Sequence, residues 1–455
     1  MSEHEESPQR DPQDPPPGAS GVLVRGLGPV AAIALVTGNV IGSGIFVIPA
    51  SLAEVAGPLG LVAWAINVVG YLCLSAVFAD LGGAYPISGG LSAFAGRAFG
   101  PLAAMEVGFL YWLCAVIGNA AFLTAFTEYL GVFVPAVEDP LVAFAVSQVL
   151  LWSLTLANAI GVRASGAVSV VTTVLKVVPL LVLSLALLPY ADVANLDPIA
   201  PKGVGSLLPA ISLVSWMFVG MESITVPAEE VRGAGRTIRR SVYRGFFLAS
   251  VVYLLVLSTV TLAVPGARLA GSARPLAEAA RLYFGSTAEA LVSIAALCSI
   301  GGILNGWLLV VSRMAHATAR AGLAPASLAW LHPRFNTPWV ALGLSSLLTG
   351  LLVSLYFLGS MLSVYNFIAL FSTATALVAV GAACLAMIVL VRREPGRFSA
   401  AQRRRGPFTA IIGLVVVVVM IAGSGLEIAG LTGLCMLAPI PYFVWKRWRG
   451  QALSY

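Results

Sequence analysis

The segment GNVIGSGIFVIP, residues 38–49, lies within an apolar run at about 28–56 that is long enough to cross a bilayer. It carries Gly38, Gly42 and Gly44 within seven residues. Each glycine in a helix interior costs about 1 kcal/mol relative to alanine. Glycine is also a packing residue where membrane helices approach closely. The dense Gly42-Ser43-Gly44 run, followed by Pro49, points further, to a helix that unwinds at membrane depth. Such backbone survives only where it is buried in protein or lines a cavity. Its free N–H groups, at the positive end of the second half-helix, suit a carboxylate.

Outward from this run, the chain repeats the same apolar pattern. Of its 455 residues, 59% are hydrophobic and only 10% charged, against about 25% charged in soluble domains. This predicts an all-α membrane protein of about twelve transmembrane helices. The expected spans 1–6 are about 28–56, 60–82, 101–133, 141–160, 166–190 and 205–230. Spans 7–12 are about 241–265, 286–320, 338–358, 361–391, 407–423 and 425–445. Spans 3, 8 and 10 exceed what a bilayer needs and are expected to tilt or protrude. With both termini in the cytoplasm, 21 of the 26 Lys and Arg fall on the inner side, mostly in loops, four fall outside, and Lys176 lies within span 5. That asymmetry follows the positive-inside pattern of a multi-pass inner-membrane protein. The net charge of +6 therefore calls for no nucleic-acid partner. Residues 1–22 are acidic and proline-rich, a predicted disordered tail without the pattern of a signal peptide. The expected organisation is this tail, a ten-helix core at 23–391, a basic loop at 392–406, helices 11 and 12 at 407–445, and a tail at 446–455.

Span 6 is irregular in the same way as span 1. SWMFVGMESITVP, residues 215–227, contains Gly220 and ends on Pro227. Interrupted helices at corresponding places in two halves of a core mark a transporter site between inverted repeats. Two ionisable groups lie within spans, where charge is expensive, at about 2.5–3.5 kcal/mol for lysine. One is Lys176, about ten residues into span 5, where snorkelling is awkward. The other is Glu222, just past Gly220, whose candidate roles are gating, carrying a proton or tying span 6 to a neighbour. Asp80, Glu106 and Glu128 lie nearer span ends and read as mostly structural. The five cysteines form no CxxC pair, so neither disulfide, zinc site nor cofactor is expected. The spans show no nucleophile with a base and no metal cluster, against a membrane enzyme. Repeated carbonyl or charged filters, the mark of a channel, are not seen either.

GSGIF in span 1, YWLCAVIGN in span 3, SWMFVGMES in span 6 and NGWLL in span 8 together resemble the amino acid–polyamine–organocation superfamily, most nearly its bacterial arginine/agmatine antiporter branch. The resemblance runs over roughly residues 25–445. It implies two inverted five-helix repeats with helices 1 and 6 broken, plus helices 11 and 12. Gly42, Ser43 and Gly44 resemble the loop that binds the substrate carboxylate. Ile41, with Trp216 and Val219, resembles the segments whose carbonyls take the α-amino group. Trp216 also resembles the aromatic gate. Cys114, Ala115 and Asn119 resemble the pocket around the distal end of the substrate, with Trp307 as its floor and Ser372 as a further match. Tyr111 matches a tyrosine of the same pattern. Sodium-coupled relatives enclose a cation near this part of span 5, whereas proton-coupled and exchanging relatives often place a lysine there. Lys176 thus resembles a built-in substitute for sodium, and departs from the arginine/agmatine branch. The expected function is sodium-independent amino-acid transport by alternating access, exchanging a cationic amino acid such as arginine for a related amine. Proton-coupled carriage of neutral amino acids is the alternative. The expected partners are a small amino-acid substrate and the lipid bilayer, with a homodimer left open.

Overall fold

A computed structural model describes residues 26–160, 162–354 and 361–449. The expected tail at 1–22 and the end of the C-terminal tail lie outside these residues. The described chain is helical, with ten helices long and apolar enough to span a membrane and two shorter apolar ones, Val204–Phe218 and Trp339–Leu352. These twelve occupy the places read from the sequence. Span 8 is set off by Gly285, whose φ of 80° only glycine adopts readily, within the run Pro275–Arg320. The expected end of span 9, to 358, falls partly outside the described residues.

Spans 1, 3, 8 and 10 bury 72–89% of their most apolar window, against 17–28% in spans 4, 11 and 12. The first set forms the interior and the second the lipid-facing periphery. Span 1 packs on spans 5, 7 and 8, and span 3 on spans 8 and 10. Helices apolar on all sides, as here, are read as buried or lipid-covered rather than amphipathic.

Two features differ from the sequence reading. Arg236, Arg239 and Arg240 lie on the first turns of the span 7 helix, Ala234–Ala263, rather than in a loop. Arg403, Arg404 and Arg405 likewise open the span 11 helix, Ala400–Gly423. Both helices run on past the apolar segment because Arg is a good helix former, and Arg239 and Arg405 find Asp80 there. Asp80 accepts from Arg405 at 3.0 Å and from Gln402 at 2.8 Å, and lies 3.6 Å from Arg239. A short helix, Leu91–Phe99, also joins spans 2 and 3.

The end of the bundle expected to face the cytoplasm is closed by polar contacts. Leu27 N–H donates to Glu230 O at 3.0 Å, and Arg232 N–H to Leu27 O at 2.9 Å, pairing the chain ahead of span 1 with the end of span 6. Below them Arg313 Nε donates to Glu230 Oε1 at 2.8 Å, with both side chains buried. More peripherally, Arg97 Nε and Nη2 grip Glu394 at 2.7 and 2.8 Å. This two-pronged hydrogen bond holds the Glu394 carboxyl below its ordinary range. A depressed carboxyl stabilises the fold above its unfolded-state pKa, and that contribution is lost as pH falls through the folded value. The pair is partly exposed, at 40% and 27%, so screening limits it. Glu394→Gln is expected to lower the thermal midpoint by no more than about 2 °C at pH 7. In detergent, thermal unfolding of the two proteins at pH 7 and near pH 3 should show that difference closing in acid.

Candidate substrate site

Span 1 breaks where its glycines cluster. Pro29–Val40 is helical, residues 41–43 are not, and the helix resumes at Gly44 and runs to Val55. Span 6 is broken for longer. Leu207–Ser215 is α-helical and Trp216–Phe218 forms a 3-10 turn. Val219 is then extended, Gly220 takes a φ of 116°, and only short 3-10 turns follow to Glu230. A Cβ at Gly220 would lie 2.8 Å from Asn39 O, so the position needs glycine for both space and conformation.

Two opposed breaks leave backbone groups without helical partners at a depth where no water serves them. Buried side chains take over. Lys176 Nζ donates to Gly38 O at 3.0 Å and to Ile41 O at 2.8 Å. The ammonium thus sits at the negative end of the first half-helix, where a cation is favoured. Tyr253 Oη donates toward both Val40 O and Met217 O, joining the two broken ends. Glu222 accepts from Gly220 N–H at 3.1 Å and from Tyr111 Oη at 2.7 Å. Tyr129 Oη donates to Phe46 O at 2.8 Å and Tyr71 Oη to Ser215 O at 3.1 Å.

Between the breaks lies a narrow cavity. Gly42, Ser43, Gly44, Trp216, Val219 and Trp307 line it, as does Phe122 of span 3. Trp216 packs against Phe122 with ring centroids 5.5 Å apart, and Trp307 lies 5.9 Å from Tyr111. Asn119 is fully buried with neither amide atom bonded, and Trp307 Nε1 is also without a partner among the described residues. Other buried polar atoms remote from the cavity, such as both ring nitrogens of His316, are unpaired among the described residues too, and of Asn119 and Trp307 only Trp307 lies in the lining.

Residues 27–432 match the model of the amino acid permease family. The chain belongs to that family. It is a membrane transporter of amino acids and not an enzyme. The cadaverine/lysine antiporter of Escherichia coli (strain K12) is 28% identical over 303 residues, covering 66% of this chain and 68% of its own. The branched-chain amino acid permease BcaP of Bacillus subtilis (strain 168) is 25% identical over 389 residues, 82% of each. Among solved structures, the manganese transporter of Eremococcus coleocola, in complex with an aromatic bis-isothiourea substituted compound, superposes with a TM-score of 0.59. That match covers 92% of this chain and 93% of that one at 16% identity, and shows a shared fold.

Not every residue named from the permease motifs lines the cavity. Ile41 turns its carbonyl to Lys176, which leaves that oxygen one further lone pair. Cys114, Ala115, Asn119 and Ser372 are buried outside the lining, and Ser372 Oγ donates to Cys114 O at 2.8 Å. Tyr111, whose ring lies 5.9 Å from that of Trp307, donates to Glu222, and neither is in the lining. Conversely, Asn39, Val40, Phe122, Met217 and Ile303 line it without having been singled out. Ile303 had a readable signal, since it precedes Trp307 by one helical turn on the same face. Tyr253 and Tyr365 had another: a tyrosine far from the membrane interface must bring its hydroxyl to a partner.

Proposed function

We propose that this permease is a sodium-independent carrier of the inner membrane, with both termini cytoplasmic, that exchanges a cationic amino acid of the arginine type for a related amine or amino acid by alternating access. The contact of Lys176 with Gly38 O and Ile41 O carries the sodium independence. A half-helix C-terminus with free carbonyls is where such carriers coordinate a coupling cation, and here a side-chain ammonium fills that role. In this reading the Gly42–Gly44 loop, at the positive end of the second half-helix, takes the carboxylate. Trp307 and Asn119 meet the distal end, and Glu222, bonded to Tyr111 and Gly220 N–H, ties span 6 to span 3. The likeness to a cadaverine/lysine antiporter supports a cationic substrate. A proton-coupled permease for neutral amino acids is the second reading, favoured by the apolar Ile303, Met217 and Phe122 in the lining and by the likeness to a branched-chain permease.

Uptake into proteoliposomes separates the two readings. Arginine, lysine, leucine and alanine would be tested with and without internal substrate, a sodium gradient and a pH gradient. Exchange of arginine or lysine without sodium is expected, and strict dependence on sodium would overturn the proposal. In the same assay Trp307→Leu should weaken a cationic substrate by about 2- to 30-fold through loss of a cation–π contact. A small neutral amino acid should lose less. Equal losses would favour the neutral reading.

A further inference from the structure

Tyr365, on span 10, joins the two broken helices from outside the cavity. Its side chain is buried, and its hydroxyl lies 2.9 Å from Ser43 Oγ and 2.9 Å from Trp216 Nε1. An indole N–H can only donate, so Trp216 donates and Tyr365 Oη accepts. Among the described residues Ser43 is the hydroxyl's one other partner. In that contact either hydroxyl can be the donor, so the empty site leaves its direction open.

We infer that Tyr365 is a positioning residue that couples the substrate's carboxylate to the Trp216 gate through a one-directional chain of hydrogen bonds. The inference rests on the reading of Gly42–Gly44 as the carboxylate loop. A carboxylate only accepts, so on arrival it takes the Ser43 hydroxyl proton as its hydrogen bond. Ser43 Oγ must then accept from Tyr365, and the chain runs Trp216 N–H to Tyr365 O–H to Ser43 O–H to carboxylate. Each bond in such a chain polarises the next, and burial strengthens all of them. The indole is thereby held between the loop and span 3. A Cβ on Gly44 would lie 3.4 Å from Trp216 Cδ1, and one on Gly118 would lie 3.0 Å from its Cη2. An amine with the same side chain but no carboxylate leaves the chain undirected. The gate therefore closes more firmly over an amino acid than over its decarboxylated counterpart, which gives the carrier a preference between the two partners of an exchange.

The test uses matched pairs, lysine with cadaverine and leucine with 3-methylbutylamine, measured for binding and for exchange in proteoliposomes. Tyr365→Phe keeps the ring and removes the relay. It should weaken the amino acid of a pair by about 3- to 10-fold and the amine by less than about 2-fold. Equal losses for both members, or no loss for either, would overturn the relay while leaving amino-acid transport intact. Ser43→Ala distinguishes the deeper failure. If it too treats both members alike, the carboxylate-loop reading falls first. Wild-type uptake of neither amino acid counts against the function reading itself. Should Tyr365→Phe not insert, the wild type still decides the matter, because a carrier binding both members of each pair equally has no directed relay.

Discussion

Lys176→Ala is expected to abolish transport, in net uptake and in exchange alike, while the protein still inserts and folds. The ammonium is the partner of two carbonyls at the break of span 1. Hydrogen bonds to a charged group contribute about 1.5–3 kcal/mol each. Losing both leaves Gly38 O and Ile41 O buried without a donor, and leaves the Thr173 hydroxyl on Ala34 O to hold span 1 to span 5 further from the break. If the lysine's tie holds in only one of the carrier's conformations, its loss shifts their balance by more than about 100-fold. The first half of span 1 would then no longer be held where the cavity needs it. Lys176→Arg should not rescue, because a planar guanidinium cannot take the place of a compact ammonium between two converging carbonyls. The measurement is paired: uptake driven by a pH gradient, and counterflow of labelled substrate at uniform pH. Loss of both marks a fixed strut. Loss of the pH-driven flux with exchange intact would show instead that the lysine cycles protons. Replacing sodium by choline should change neither flux in the wild type, and a sodium requirement there would remove the strut and the substitution for sodium together.

The places where the fold breaks were legible, because glycine in a helix is costly and three within seven residues of span 1 demand a reason. The partners that make the breaks tolerable were only half legible. A lysine deep in an apolar run announces that it has polar company, and carbonyls of an unwound neighbour are the natural company for an ammonium. The tyrosines gave a weaker announcement. Tyr253 and Tyr365 meet partners more than 200 residues away, Val40 O and Ser43 Oγ. Which face of an all-apolar helix meets which neighbour is not written in its periodicity, since every face is apolar. The same limit explains the site. The motifs on spans 1, 3, 6 and 8 point to stretches that meet at the cavity, yet Cys114, Ala115 and Asn119, and Ser372 on span 10, pack outside its lining while Phe122 and Ile303 face it. Span 6 was legible as interrupted from Gly220 and Pro227. The extent of its unwinding, with 3-10 turns as far as Glu230, depends on tertiary partners such as Tyr253 and Leu27, which hold backbone that the local sequence leaves free.

Gly42→Val should eliminate measurable substrate binding. A Cβ built at Gly42 lies 2.0 Å from Ile303 Cδ1 and 3.3 Å from its Cγ1. The nearest atom is the end of a side chain, so a single added methyl can be met by a rotamer change. The cavity that Ile303 already lines offers space for that change. Gly42→Ala should therefore weaken binding by about 5- to 150-fold, the usual range for overpacking by 1–3 kcal/mol. Valine adds two more carbons and a stiff χ1, which leaves no compatible rotamer. Gly44→Ala is the milder control, since its Cβ would meet Met217 Cγ at 3.1 Å. The decisive variant is Gly42→Ala combined with Ile303→Ala. If space is what Gly42 provides, removing volume from span 8 offsets the volume added to span 1, and affinity returns to within a few-fold of wild type. An inserted double variant that stays inactive would mean that Gly42 serves the unwound backbone itself rather than the room above it. Wild-type affinity in Gly42→Val would take the loop out of the site altogether, and with it the assignment of the second half-helix's positive end to the substrate carboxylate.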